Sequence, residues 1–304
     1  MNCFKKFTDL LLFCFMSILF ITGCQDQANT PTPNNEIAEY TQVDFDPAWT
    51  ISGSKIVYAH SNLNLGLSGI NSVNSDGSNY YHLLTGITVS PDWSPDESHI
   101  VFSQFKDLYI CKSNGDSIVR LTFDGKSNNP KWSNNGDLIT YSSTNSVSIY
   151  DIHLIRPDGS DNTLLDSNGK YPSWVDGDKS LIYFKPIYEG QYNSQIGDSL
   201  VQYFFNTGQI NTIAILEGDI YKFNSYPNMT DDGIIFCSMN SNGYAYIYKI
   251  DLNGQNIIRL TESQGYSPDY CLTNNKVVYT NRNRGNGRLW IMDKDGNNKT
   301  QLTY

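Results

Sequence analysis

Histidine is scarce in this chain: 304 residues include four, His60, His82, His99 and His153. They fall at unrelated places in the repeats described below, so their registers predict no convergent metal site. The nucleophile elbow G-x-S-x-G, the zinc-binding H-E-x-x-H and a phosphate-cradling glycine loop are all missing. Charged residues make up 17%, with 31 Asp and Glu against 21 Lys and Arg, for a net charge of −10. That balance argues against nucleic acid, or an anionic lipid surface, as the main partner. Helical periodicity is absent outside the N-terminal segment. No apolar run approaches the roughly 20 residues of a spanning helix.

The longest apolar run, Leu10 to Ile21, covers 12 residues and follows Lys5 and Lys6. Such a segment reads as a processing signal and stands outside the fold. It ends in Ile21-Thr22-Gly23-Cys24, which resembles the bacterial lipoprotein signal, where cleavage precedes a lipidated cysteine. An ordinary secretory signal with a chance cysteine is the plainer alternative. The resemblance implies a signal peptide over 1–23, lipidation at Cys24 and attachment to the bacterial cell envelope. Gln25 rather than Asp after the cysteine implies transfer to the outer membrane, facing the periplasm or the surface.

Residues 24–40 then form the lipidated cysteine and a flexible polar tether, including Asn29-Thr30-Pro31-Thr32-Pro33-Asn34-Asn35. As a coil it spans on the order of 20–25 Å. Acyl chains on Cys24 would hold the domain at a membrane without a spanning helix. Loss of residues 1–23, with Lys5, Lys6 and Asp9, makes the net charge −11. Cys111, Cys237 and Cys271 remain, in or beside apolar strands, where they read as small buried hydrophobes. The sequence leaves a Cys237–Cys271 bridge open.

What the chain has in abundance is a repeated proline element. It occurs as Pro47-Ala48-Trp49, Pro91-Asp92-Trp93, Pro130-Lys131-Trp132, Pro172-Ser173-Trp174, Pro227-Asn228-Met229 and Pro268-Asp269-Tyr270. From proline to proline the intervals are 44, 39, 42, 55 and 41 residues. A period near forty with strand-like content marks a propeller blade. The second repeat shows the unit: Pro91-Asp92-Trp93, the turn Ser94-Pro95-Asp96-Glu97, then Ile100-Val101-Phe102 and Leu108-Tyr109-Ile110-Cys111 as strands. Asn114-Gly115 makes a two-residue hairpin, and Ile118 to Thr122 completes the unit. Asp76-Gly77, Asp158-Gly159, Asn253-Gly254 and Asp295-Gly296 repeat the hairpin, with Thr207-Gly208 as a weaker form. Arg259-Leu260-Thr261 and Gln301-Leu302-Thr303 repeat the ending Arg120-Leu121-Thr122.

On these residues, from about 41 to 304, the chain resembles the TolB-type, WD40-like propeller repeat. The resemblance implies an all-β, six-bladed β-propeller of four-stranded antiparallel blades over 41–304. The fourth repeat lacks the Leu-Thr ending, and the fifth and sixth lack the tryptophan. TolB carries an α/β domain ahead of its propeller where this chain has the tether, so TolB's own partners are not implied. Trp49, Trp93, Trp132 and Trp174 occupy equivalent positions and are expected to pack between blades. Arg120 and Arg259 share one register and read as structural. Tyr40–Phe45 and Gln301–Tyr304 are both candidates for a closing strand, and the sequence leaves open how the ring closes.

In a four-stranded meander the connections alternate between two faces. The Ser-Pro-Asp turns and the Asp-Gly hairpins share one face; the loops between second and third strands share the other with the inter-blade connections. Irregularity concentrates on that second face, where binding residues are expected. It carries His60 to Gly69, an excursion over Lys185 to Asp198 with Tyr188 and Tyr192, and Arg282, Arg284 and Arg288 within seven residues. Clustered arginines suit a carboxylate, phosphate or acidic partner, and a solvated glycine-rich loop is the plainer reading. The residues before the six prolines, Asp46, Ser90, Asn129, Tyr171, Tyr226 and Ser267, with Tyr266 adjacent, are expected near the inner rim of the same face.

Asp46, Tyr171, Tyr188, Tyr192, Tyr226, Tyr266, Arg282 and Arg284 are therefore the candidate ligand-binding residues. No catalytic residue, metal ligand or cofactor is expected. Asp293-Lys294-Asp295-Gly296-Asn297 lacks the closing glutamate of a calcium loop and reads as a hairpin. The expected function is a non-catalytic, membrane-anchored binding or scaffolding lipoprotein that recognises an envelope protein or glycan through the loop-rich face. The alternative is a carbohydrate-active lyase or hydrolase working at the channel mouth, since some oligosaccharide lyases with related repeats use channel histidines.

Overall fold

The computed structural model describes residues 42–62, 66–144, 150–190, 194–283 and 286–304. Among these residues are twenty-four strands, four to each repeat. The first repeat gives β1 (Gln42–Trp49), β2 (Lys55–Asn62), β3 (Leu67–Asn74) and β4 (Tyr81–Thr85). The second gives β5 (Thr88–Trp93), β6 (His99–Gln104), β7 (Asp107–Lys112) and β8 (Val119–Arg120). In the third lie β9 (Ser127–Trp132), β10 (Ile139–Thr144), β11 (Tyr150–Ile155) and β12 (Thr163–Asp166). The fourth holds β13 (Lys170–Val175), β14 (Ser180–Glu189), β15 (Ser194–Phe204) and β16 (Gln209–Glu217). The fifth holds β17 (Phe223–Met229), β18 (Ile234–Met239), β19 (Ala245–Ile250) and β20 (Ile257–Arg259). Last come β21 (Gln264–Cys271), β22 (Lys276–Asn283), β23 (Asn286–Asp293) and β24 (Thr300–Gln301).

The architecture is an all-β propeller of four-stranded antiparallel blades. Repeats two to five form four separate four-stranded sheets, and the remaining eight strands form one sheet. Six sheets were expected; the first and last repeats are instead joined where β1 meets β23 in parallel at Val43 and Gly287.

Second strands carry apolar runs without alternation, as in Ile100-Val101-Phe102 and Leu181-Ile182-Tyr183-Phe184, all buried. A strand covered on both faces has no solvated side to mark with polar residues. Six apolar cores follow, each shared by two consecutive repeats. Trp93 packs with Ala48, Val57 and Ile70 of the first repeat, while Trp132 and Trp174 pack against the second and third repeats respectively. Met229 and Tyr270 take that place in the next two. Trp49 closes the circuit by packing with Cys271, Val278 and Leu289 of the last repeat. Burying each such side chain contributes about 1.5–3 kcal/mol.

The hairpin glycines lock neighbours together. Gly115 has φ 88°, and a Cβ there would stand 2.3 Å from the Leu83 carbonyl oxygen of the preceding repeat. Gly77 similarly lies over Leu302, so the first repeat rests on the last. The Leu-Thr ending proves to be a latch beyond the short fourth strand. In the second repeat Leu121 is buried, and Thr122 Oγ1 accepts the Leu108 amide at 2.9 Å. Thr261 does the same for Ile247 at 3.1 Å and Thr303 for Leu289 at 3.0 Å.

Both open questions about the ends are answered. β1 is the first strand of its own repeat, and β24 is the outer strand beside β23. Side chains reinforce the β1–β23 bridge: Thr303 Oγ1 donates to Asp44 at 2.6 Å, and Arg288 donates to the Gln42 carbonyl at 3.1 Å. Cys111, Cys237 and Cys271 are buried thiols in no disulfide.

Of the excursion expected over Lys185 to Asp198, residues 185–189 and 194–198 are ladder rather than irregular loop; residues 191–193 lie outside the described residues. β14 and β15 pair from Ser180↔Phe204 outward to Glu189↔Ser194, with β16 continuing beside β15 to Gly197↔Glu217. Pro186 is tolerated because β13 ends its pairing at Phe184, leaving no neighbour on that side to receive an N–H.

Candidate functional site

The six residues before the repeat prolines share one backbone state. Asp46, Ser90, Asn129, Tyr171, Tyr226 and Ser267 have φ between 47° and 55°. Each lies at a register slip in its first strand, where the residue and its proline bulge out of the ladder. A side chain before proline disfavours helical and left-handed conformations, and each such outlier costs about 1–3 kcal/mol. The bulges fall midway along the first strands, and Asp46, Ser90, Asn129, Tyr171 and Tyr226 line one cavity with the six prolines.

There they bind one another. Asp46 Oδ1 accepts from Ser267 Oγ at 2.7 Å and from the Tyr226 hydroxyl at 2.9 Å. Its Oδ2 accepts from the Ser90 amide at 3.2 Å and the Ser90 hydroxyl at 3.1 Å. Asn129 Nδ2 donates to Ser90 Oγ at 3.1 Å, and the Tyr171 and Tyr226 rings meet at 4.8 Å between centroids. One carboxylate thus gathers three other repeats. The cavity left among the six proline elements is about 30 Å³, room for roughly two waters.

One step further along the motif lies a charged cluster that the sequence reading missed. Lys131 Nζ donates to Asp92 and Asp269, at 3.0 Å each, across the channel. The same two carboxylates accept the backbone amides of Trp132 and Trp49 at 2.8 Å, stitching each to the next repeat. Burial pushes the Asp92 carboxyl up to about 6, with Asp269 adding to the rise and Lys131 opposing it. Burial works against charge on Lys131, but Asp269 and Asp92 outweigh it and hold the ammonium well above its ordinary value. The available signal was the middle residue of the motif: Asp92, Lys131 and Asp269 stand where the other repeats carry Ala48, Ser173 and Asn228.

A second missed cluster underlies the long hairpin. Asp198 is fully buried and pairs with Lys170 at 2.9 Å. It also accepts the Asn224 amide at 2.9 Å and Gln195 Nε2 at 3.1 Å. These contacts bind the fourth repeat to the fifth.

The remaining candidates lie apart from the ring. Tyr188 sits on β14 opposite Gln195, 39% exposed. Tyr266 donates to Gln264 at 2.5 Å, while Ser267 holds the ring position expected of it. Arg282 stacks over Tyr266, 5.5 Å from the ring centroid. Arg288 is spent on ring closure. Tyr192 and Arg284 lie outside the described residues. The expected grouping therefore divides into a channel set of Asp46, Tyr171 and Tyr226 and a face set of Tyr188, Tyr266 and Arg282.

Residues 70–131 match the family profile described as the dipeptidyl peptidase IV N-terminal region. No curated protein sequence matches the chain. Among solved structures, TolB from Acinetobacter baumannii aligns with a TM-score of 0.68 at 20% identity, over 83% of this chain and 64% of that one. A TolB structure from Agrobacterium tumefaciens, described as putative, gives 0.61 at 20% identity, over 74% and 84%. Both likenesses show the β-propeller fold. An oligogalacturonate lyase in complex with manganese also shares the fold, with a TM-score of 0.55 at 10% identity, over 86% of this chain and 77% of that one.

The histidines of the propeller each have local contacts. His60 Nδ1 meets Asp44 at 2.7 Å, His82 bridges Asn71 and Thr85 at 2.8 and 2.9 Å, and His153 lies against Tyr141 at 5.3 Å between centroids. Among the described residues no three His, Cys, Asp or Glu side chains are placed to hold a metal ion. Arg120 pairs with Asp107 at 2.6 Å beside the Thr122 latch. Asp293 to Asn297 forms the hairpin between β23 and β24. No helix among the described residues is long and apolar enough to cross a membrane.

Proposed function

We propose that the protein is a six-bladed propeller that binds or scaffolds an envelope protein or glycan through its loop-rich face, non-catalytically. The eight-stranded sheet is read as two blades, because six inter-repeat cores and six proline elements complete one circuit. The observation that carries the functional reading is the closed ring: Asp46 and its partners satisfy one another across the channel and leave about 30 Å³. Ligand sites for small molecules have volumes of roughly 300–1,000 Å³. Recognition is therefore assigned to the face where β14 and β15 extend beyond β13 and where Tyr188, Tyr266 and Arg282 lie. Lipidation at Cys24, the tether and an outer-membrane location belong to the same proposal and rest on the N-terminal sequence.

A carbohydrate-active lyase or hydrolase is the second reading, and one contact favours it. Asp44 holds His60 Nδ1, the arrangement that orients an imidazole for proton transfer at its other nitrogen. Both residues are buried, at 8% and 1% exposure, which counts against substrate access. Crosslinking the tethered protein in native envelopes tests the first reading: a defined protein or glycan should be recovered through the loop-rich face. Polysaccharide turnover abolished by His60→Gln would replace it with the second.

A further inference from the structure

The acidity of the propeller is concentrated on one face. Between strands, the turns of the hairpin face hold thirteen Asp or Glu against four Lys or Arg, whereas the connections of the loop-rich face hold three against four. The repulsion expected from a net charge of −10 is therefore directional. An anionic surface is repelled by the hairpin face, and the loop-rich face is free to approach it.

Around the second repeat the loop-rich face also presents apolar side chains to solvent. Ile87 is 52% exposed, Phe105 66% and Phe123 74%. Their three connections are neighbours. The Ser127 amide donates to the Lys106 carbonyl at 2.7 Å and the Gly125 amide to Asp107 at 3.1 Å, while a Cβ on Gly86 would stand 2.7 Å from Gln104 Nε2. Lys106 and Lys126 are exposed beside the rings. Phe105 and Lys106 form the two-residue turn between β6 and β7, with φ 51° and 61°. Hairpins of this kind ordinarily take Asn-Gly, and a bulky aromatic at positive φ is a strained choice. Here it holds the ring in water rather than in a core.

We infer that Ile87, Phe105 and Phe123 seat the propeller on a lipid bilayer, with the rings in the interfacial layer and Lys106 and Lys126 at anionic headgroups. The path of the chain selects this occupant. β1 begins at Gln42, opposite Asn62 at the end of β2, so the chain enters the propeller at the loop-rich face. The tether over residues 24–40 spans on the order of 20–25 Å, and a lipidated Cys24 at its far end would keep that face within this reach of the membrane. The inference rests on the anchored reading proposed above. It leaves partner recognition its own sector, because Tyr188, Tyr266 and Arg282 belong to the fourth and sixth repeats, further round the circuit.

The test places the full chain, through its own anchor, in vesicles of phosphatidylethanolamine and phosphatidylglycerol. A polarity-sensitive dye is attached at Asp124→Cys, beside Phe123, or at Asp116→Cys, in a hairpin of the opposite face; the propeller's own thiols are buried. The dye at 124 should shift its emission to shorter wavelength and be quenched by a lipid-borne quencher, and the dye at 116 should do neither. Phe105→Ser with Phe123→Ser should abolish the shift at 124 while the protein still floats with the vesicles and melts like wild type. A chain that floats with the dye at 124 still in water, or with the dye at 116 shifted instead, overturns the inference and leaves the anchor standing. A shift that survives the double variant also overturns it. A chain that does not float overturns the anchor and the inference together.

Discussion

The second and fourth repeats solve the same problem by different means. In the second, β8 has two residues, and the outer edge is held by Thr122 on the Leu108 amide, Arg120 on Asp107 and buried Leu121. In the fourth, β16 pairs with β15 over eight residue pairs and has no Leu-Thr ending. A long ladder replaces a side-chain latch. The latched repeat has a short outer strand, whereas the laddered one has longer strands and, among the described residues, ends its sheet at β16. The departure from the common repeat is therefore carried where a long ladder supports it, while the residues before the six prolines bond and pack with one another in the channel.

The largest expected effect concerns the charged cluster beside that ring, which only three repeats supply. Lys131→Met leaves Asp92 and Asp269 buried without their cation, and breaking such a cluster costs about 3–5 kcal/mol. The loss should depend on pH. In the fold Asp92 keeps its proton up to about 6, against roughly 4 for an unfolded aspartate. Between those values the folded chain binds more protons, so this group favours the fold in acid and loses that contribution as pH rises through its folded value. Denaturant melts of Lys131→Met should show a larger deficit at about pH 8 than at about pH 5. An equal deficit at both would remove the carboxylate pair from the explanation.

Hairpin glycines sharpen the contrast between the two repeats. Gly115→Ala drives a Cβ to 2.3 Å from the Leu83 carbonyl and also strains a positive φ; about 2–3 kcal/mol is expected. Gly208→Ala has only the Tyr203 hydroxyl nearby, at 3.9 Å, and should cost about 1 kcal/mol from φ alone. Thermal unfolding of the pair checks the order.

The latch gives a smaller difference. Thr122→Val orphans the buried Leu108 amide and should cost about 1–2 kcal/mol. Thr212→Val, on the long ladder, should stay within about 0.5 kcal/mol. Similar values would mean that β16 also depends on a latch.

Much of the fold is local and was legible in the sequence. Proline elements, Asn-Gly and Asp-Gly turns and continuous apolar runs gave the strand order, and equivalent tryptophans gave inter-repeat packing. The channel site was harder to read. Asp46 reaches Ser267 across 221 residues and Tyr226 across 180, and the left-handed backbone before proline runs against local preference. Lys131 finds Asp269 across 138 residues, a pairing no short window contains. In the fourth repeat Pro186 looks like a breaker, and only the neighbouring strand shows that pairing with Asp198 overrides it. Ser267, expected in the ring as the residue before its proline, does reach Asp46 there, while the adjacent Tyr266 bonds to Gln264 on its own strand.

The claim that the ring supports and the extended face recognises is tested most directly by partner retention. Wild-type protein and a Tyr188→Ser, Arg282→Ala variant, crosslinked in native envelopes, should melt alike while the variant loses most of the captured partner. Undiminished capture by that variant would contradict the account.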